Sequence, residues 1–292
     1  MLQTPGAAER ADRQTLESGW KDILVHLDGT PEDEFRLAHA EALASTFKAH
    51  LTGLYTNRLP DIADYAPVGL MTYAELEDRL RVEGAINQTR LAERLTRADA
   101  LNELRTIEAA PDDMRRAVAT EARLADVFVA SCPRGASGQW RFAVEAALFD
   151  GGRGVLLTPE GVRPRDAMRT IVIGWVNARE AARAVAEALP LLRRAGSTEI
   201  VCVEEGATGV DRALARADIA AHLDRHGVAV NISVISDAPD DVATAILTKA
   251  QRVSADLIVT GAYGHSRLHE WILGGVTRDL IAHSGIPLLM AH

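Results

Sequence analysis

The sequence predicts an α/β protein made of two tandem doubly wound domains, each with a five-stranded parallel sheet covered by helices on both faces. Three observations lead there. Short apolar runs alternate with segments whose apolar residues recur at helical spacing. The runs are apolar on both faces, as strands between two helix layers must be, whereas a half-exposed antiparallel sheet would alternate apolar and polar residues. The plan also occurs twice. "APDDMRRAVATEARLADVFVA" (110–130) returns as "APDDVATAILTKAQRVSADLIVT" (238–260), offset by 128 at its start and by 130 at Asp126 and Asp256, so that one helix has gained two residues.

The elements follow in order. From Asp22, "DILVHLDGTPEDEFRLAHAEALASTF" reads as a strand near 22–27, a small-residue turn and a helix. Further strands of the first copy are expected near 51–56, 103–107, 126–130 and 154–158. The second copy opens with "RTIVIGWVNAREAARAVAEALPLLRRAG", and its strands are expected near 169–175, 198–204, 229–235, 256–260 and 286–291. Asp112/Asp113 and Asp240/Asp241 follow Ala-Pro at helix starts, where carboxylates complement the dipole, and are read as caps. The copies differ between their second and third strands, where the first carries a longer insert, 57–100. Its Pro-rich beginning reads as loop and Tyr73 to Ala98 as a long amphipathic helix, either a lid over a site or, the reading adopted, an elaborated surface or dimer element. The expected divisions are an extension (1–19), a first domain (20–162) and a second (163–292).

Composition limits the function. A chain of 292 residues, 47% of them hydrophobic, can bury one large core or two ordinary ones. Its 32 basic and 41 acidic residues leave a net charge of −9, which repels phosphate backbones and argues against nucleic-acid binding. No apolar run is long enough to cross a bilayer, and "MLQTPGAAERADRQ" mixes acids and bases where a secretion signal would be apolar, so a cytoplasmic protein off the membrane is expected. Cys132 and Cys202 form no CxxC pair or zinc-spaced cluster and are read as buried thiols without a redox role.

The stretch "VTGAYGHSRLHEWILGGVT" (259–277) concentrates the chemistry. A strand ends at Gly261, "GAYG" turns the chain, "SRLHEWIL" is helical, and Gly274 and Gly275 introduce Val276 and Thr277 at the start of another helical turn. Glycines in a strand-to-helix turn permit positive φ and close approach of a ligand. Amides at a helix N-terminus, with its dipole, attract anions, so two such turns joined by a short helix suit a polyphosphate. There is no GxxxxGK[ST] loop, and no GxGxxG follows the first strand of either copy, which argues against a P-loop hydrolase and a dinucleotide dehydrogenase.

The pattern G-x-x-G, nine residues, G and a small residue resembles the ATP-binding motif of the universal stress protein family, and the resemblance covers residues 20 to 292. It implies the adenine nucleotide α-hydrolase-like fold, ATP with Mg²⁺ as ligand, and Gly261, Gly264, Gly274, Gly275, Val276 and Thr277 as phosphate and ribose contacts. Tyr263 and His265 lie in the same turn, either beside the nucleotide or on the surface. The family usually has Ser or Thr after the third motif glycine, where this chain has Gly275, and an acid or amide at the end of the first strand, where it has Val176 beside Asn177. Each loss removes a hydrogen bond of roughly 1–3 kcal/mol. The first copy keeps the acid, Asp28, before Gly29 and Thr30. It has lost the glycines: Ser131 stands for Gly261, Arg134 for Gly264, and Pro133 removes an amide. That copy is expected to be a degenerate partner supplying stability and interface.

Other features have plainer readings. His222 and His226, four apart, have a metal-binding spacing but no third ligand nearby, and are read as an exposed helix end. Trp175 stacks on a base or fills the core, the second being adopted. No acid–base pair or nucleophile elbow is recognisable. The chain is therefore expected to be a stress-response protein whose C-terminal domain binds ATP as a regulatory ligand. The alternatives are a nucleotide-free dimerising module and a slow ATPase. A homodimer or an internal pseudo-dimer is expected, because the last strand of each domain leaves an edge to be paired, and an unidentified protein partner is implied.

Overall fold

The computed structural model describes residues 19–61, 70–97, 102–132, 141–165, 168–203, 210–235, 241–262 and 275–292. The first half of the chain runs β1 (Asp22–Leu27), α1 (Asp33–Phe47), β2 (His50–Arg58), α2 (Leu70–Thr96), β3 (Asn102–Ala109), α3 (Pro111–Ala122), β4 (Val127–Ser131), α4 (Arg141–Glu145, continued by a π-turn over Ala146–Asp150) and β5 (Val155–Thr158). The second runs β6 (Thr170–Gly174), α5 (Arg179–Leu192), β7 (Ser197–Val203), α6 (Val210–Arg225), β8 (Val230–Ile235), α7 (Val242–Arg252), β9 (Leu257–Gly261), α8 (Gly275–His283) and β10 (Leu288–Ala291). All ten expected strands are present, each within two residues of the expected bounds at either end.

Each half orders its strands alike, and the two are joined in one ten-stranded sheet, β3-β2-β1-β4-β5-β10-β9-β6-β7-β8. Pairing is parallel within each half and antiparallel at the junction, where Leu288, Leu289 and Met290 face Leu157, Leu156 and Val155. All six side chains are fully buried. Each final strand thus covers the edge that the other would expose.

Except at the sheet edges, β3 and β8, the strands are buried on both faces because helices lie on both. On one face Ile23, Val25 and Leu27 meet α1, while Ile171 and Ile173 meet α5, and on the other Leu24 meets α3 and Val172 meets α7. Both apolar layers run across the junction, so the halves share their core.

The residues that anchored the repeat have a shared structural task. Asp126 Oδ2 accepts from the amides of Lys21 (2.5 Å) and Asp22 (3.0 Å), and Asp256 Oδ2 accepts from those of Arg169 (2.8 Å) and Thr170 (2.9 Å). In each half a carboxylate before one strand therefore fixes the start of its neighbour, satisfying amides that precede the ladder. Among the expected caps, Asp241 accepts from the amides of Ala243 (2.9 Å) and Thr244 (3.1 Å). Asp112 and Asp113 sit in the first turn of α3 without capping it, and Asp240 lies outside the described residues.

The insert helix α2 packs on its own half, with Leu91 and Leu95 in the core. Asn57 Nδ2 donates to the Leu80 carbonyl (3.1 Å), Arg90 Nη2 to the Gly29 carbonyl (2.6 Å), and Arg94 pairs with Glu34 and Glu41. It therefore lies over the carboxyl ends of β1 and β2, with Val82 and Ile86 on its exposed side. Both cysteines are buried thiols. No helix among the described residues is long and apolar enough to cross a membrane.

Candidate functional site

β6 is followed by β7 on one side of it in the sheet, while β9, its other neighbour, is followed by β10 on the far side. The connections leaving β6 and β9 diverge, and such a reversal of strand order opens a crevice beyond the carboxyl ends of the strands. A cleft of about 430 Å³ lies there, within the roughly 300–1,000 Å³ usual for small-molecule sites. Val201 and Val203 of β7 and Val242 and Ile246 of α7 give it apolar walls. Trp175 and Val176 border it after β6, Thr260 and Gly261 at the end of β9, and the first turn of α8, Gly275 to Thr277, closes another side.

The two described motif glycines do different things. A Cβ on Gly261 would lie 2.6 Å from Ala181 N, 2.7 Å from the Glu180 carbonyl carbon and 2.9 Å from Glu180 Cβ. The glycine is therefore needed for β9 to meet the first turn of α5, whatever the cleft contains. At Gly275 a Cβ would meet none of the described residues within 4 Å. Glycine there leaves empty space at the N-terminus of a nine-residue helix, where backbone amides and the dipole favour an anion.

Among the described lining residues there is no Lys or Arg, and there is one carboxylate, Glu180. A hydrogen bond from its own backbone amide, with Arg179 Nη2 3.1 Å from Oε1, holds that carboxyl below the usual range, so it is ionised at neutral pH. Among the described residues, attraction for an anion in this cleft comes from the backbone.

Of the residues that the resemblance singled out, Gly261, Gly275, Val276 and Thr277 line one cleft, while Tyr263, Gly264, His265 and Gly274 lie outside the described residues. Trp175 is half-buried, packing on the core while bordering the cleft. Val176 is 58% exposed. The apolar wall formed by Val201, Val203, Val242 and Ile246 was not anticipated, although the Val-x-Val ending of β7 marks it in the sequence. His222 and His226 meet edge-on at 4.6 Å between ring centroids, and no group of three metal-binding side chains occurs among the described residues.

The equivalent crevice of the first half is built differently. Register sets Val25 beside Val129 and Ile173 beside Val259, which places Asp28 where Val176 is. Asp28 is already engaged: the fully buried Arg36 guanidinium pairs with both Asp28 and Asp33, and Thr30 Oγ1 also donates to Asp28 (2.6 Å). Burial works to raise the Asp28 carboxyl, but Arg36 outweighs it and holds it well below the usual carboxylate range. Phe142, in the first turn of α4, projects into this crevice and meets the buried His26 ring edge-on at 6.1 Å. Burial, and then the Arg36 charge, depresses the His26 imidazole to about 3. A cavity of about 410 Å³ remains here, bordered by Asp28 and Phe142 and by Leu76, Leu80, Glu83 and Asn87 of α2, so this crevice differs from the second in its charged and aromatic lining and not in being closed.

Comparisons with known proteins bear on the family and the fold. Residues 168–292 match the model of the universal stress protein family. The stress response protein NhaX of Bacillus subtilis is 46% identical over 50 residues, which are 17% of this chain and 30% of that protein. A universal stress protein from Archaeoglobus fulgidus has a similar fold, with TM-score 0.66 at 15% identity over 92% of this chain and 95% of that one. A functionally unknown protein from Pseudomonas aeruginosa superposes with TM-score 0.58 at 14% identity, over 95% of this chain and 94% of that one. At such identities the two structures speak for the fold alone.

Proposed function

This chain belongs to the universal stress protein family through residues 168–292, and on that premise we propose that a second domain, residues 163–292, binds ATP as a regulatory ligand in the cleft between β6 and β9. The observation that carries the reading is the meeting, at the reversal of strand order, of an apolar slot with the open N-terminus of α8. The valine walls suit a base, and the space at Gly275 suits a phosphate group beside backbone amides. Tyr263, Gly264, His265 and Gly274 complete the motif and are assigned to the same site with Gly261, Gly275, Val276 and Thr277. With no cationic side chain among the described lining residues, and with Glu180 in the wall, affinity is expected to be micromolar or weaker, Mg²⁺ reducing the ligand's charge. A nucleotide spanning the β6–α5 turn and the start of α8 would fix their separation and so change the surface offered to a protein partner. The domain of residues 20–162, whose crevice is bordered by Phe142 and by an Asp28 already paired with the buried Arg36, is assigned structural and interface roles.

A second reading, a nucleotide-free interaction module, draws on the exposed Val176 in place of an acid and on the Glu180 carboxylate. Calorimetry separates the two. The wild type should bind ATP with Mg²⁺, and Gly264→Val should abolish binding. A wild type silent at millimolar ATP refutes the nucleotide reading. Phosphate release no faster than in the Gly264→Val variant would eliminate a third reading, slow hydrolysis.

A further inference from the structure

A second concavity, about 390 Å³, lies between α5 and α6 on the other side of Trp175 from the strand-end cleft. Register explains why it is open. Trp175 stands where the first half has Leu27, which is fully buried on a face covered by α2. In the second half Trp175 stays half-buried, and beside it Leu214 of α6 is 58% exposed. The groove is apolar at its base, through Val185 and Ile219, and carries Asp218 and His222 at its border. No Lys or Arg is among its described lining residues. Burial, and then the charges of His226 and Arg225, lower His222, leaving a neutral imidazole at neutral pH. Asp218 therefore supplies the formal charge of a described lining that also includes the Trp175 indole, the aromatic group that attracts cations best.

We propose that the groove between α5 and α6 is a binding site for a small aromatic amine, whose ring packs between Trp175 and Leu214 and whose ammonium group meets Asp218. An aromatic acid is disfavoured by the same carboxylate, and a neutral aromatic forfeits the charge contact. The groove shares Trp175 with the proposed nucleotide cleft but lies on the opposite face of the sheet from the cleft's apolar walls, and its proposal does not depend on a nucleotide there.

The test uses the ¹⁵N-labelled full chain and three probes with one ring system: tryptamine, indole and indole-3-acetate. The Trp175 Nε1–H resonance, identified by its loss in Trp175→Phe, should shift on titration, with tryptamine binding tightest and indole-3-acetate weakest. Asp218→Asn, a change at an exposed side chain, should weaken tryptamine about fivefold, the upper end for a solvent-contacting ion pair, and leave indole unchanged. Leu214→Gln should weaken tryptamine and indole alike. Saturating ATP should leave tryptamine affinity unaltered. Equal affinities for the three probes, indifference of tryptamine to Asp218→Asn, competition by ATP, or no shift at millimolar probe would each overturn the proposal.

Discussion

Gly261→Ala distinguishes a glycine kept for packing from one kept for a ligand. The added methyl would lie 2.6 Å from a backbone nitrogen of α5, and an ordinary contact begins at 3.4 Å, so helix and strand must separate by about 0.8 Å. Both sides are backbone within a shared core, where overpacking of this kind costs about 1–3 kcal/mol. We expect a loss of about 2 kcal/mol in urea unfolding at constant slope, or a Tm lower by roughly 4–8 °C at the rate for large domains. Gly275→Ala is the internal control, since its methyl meets none of the described residues within 4 Å. Its stability should stay within about 0.5 kcal/mol of wild type, as for substitutions that touch no structural feature. If Gly261→Ala unfolds like the wild type, the close approach to α5 does not explain the glycine, and the packing argument fails.

Restoring the two missing polar groups should strengthen the proposed nucleotide site: Gly275→Ser and Val176→Asp should each tighten ATP binding by about tenfold to a hundredfold, worth ~1–3 kcal/mol per hydrogen bond. Unchanged affinity by calorimetry in both variants would show that the positions are wrongly aligned with a nucleotide. His26 should make the fold acid-sensitive. Its folded-state value of about 3 lies below the unfolded value of 6.5, so the stability it withholds from the protonated state is intact above pH 6.5 and is lost as pH falls toward 3. At pH 5 the loss is about 2 kcal/mol, and the difference in stability between pH 7 and 5 should shrink by that amount in His26→Gln, an unaltered difference counting against the assignment. Finally, residues 163–292 expressed alone would present the Leu288–Met290 edge and should dimerise through β10, giving twice the monomer mass by light scattering; a monomer would mean that the edge needs no partner.

The sheet was legible because a strand buried on both faces has no polar alternation, and neither half breaks that rule in β1, β4, β6 or β9. Element ends were less so: α2 begins at Leu70 and not Tyr73, since nothing in "GLMTY" forbids helix. Pairing of the last-strand edges was foreseen, between subunits or within the chain, but the choice between the two left no mark, because an apolar final strand looks the same whichever copy it meets. Arg36 hid for a different reason. Its neighbours Asp33 and Leu37 place it on the inward stripe of α1 with Ala40 and Leu43, yet a charged residue in "EDEFRLAHAEA" reads as surface unless its carboxylate partners are known. Asp126 and Asp256 were visible as a repeat, but their hydrogen bonds to a neighbouring strand could not be read from spacing.

The internal comparison bears on the candidate site more directly than its motif does. Two halves with one strand order place residues of different size and charge at matched positions: Asp28 against Val176, Ser131 against Gly261, and Arg36 against Ala184, one turn into the following helix. In the first half a fully buried guanidinium has two carboxylate partners, and removing one member of such a group costs about 3–5 kcal/mol because it strands the rest. That crevice cannot release Asp28 to a ligand without disturbing the core. In the second half Ala184 leaves no charge to neutralise, so the strand ends need no internal ion pair, and the space stays open between valine walls and the start of α8. The chain retains one fold plan in both halves, with cavities of about 410 and 430 Å³ at their strand ends, and what separates an ion-paired crevice from an apolar one is which side chains the chain itself supplies there.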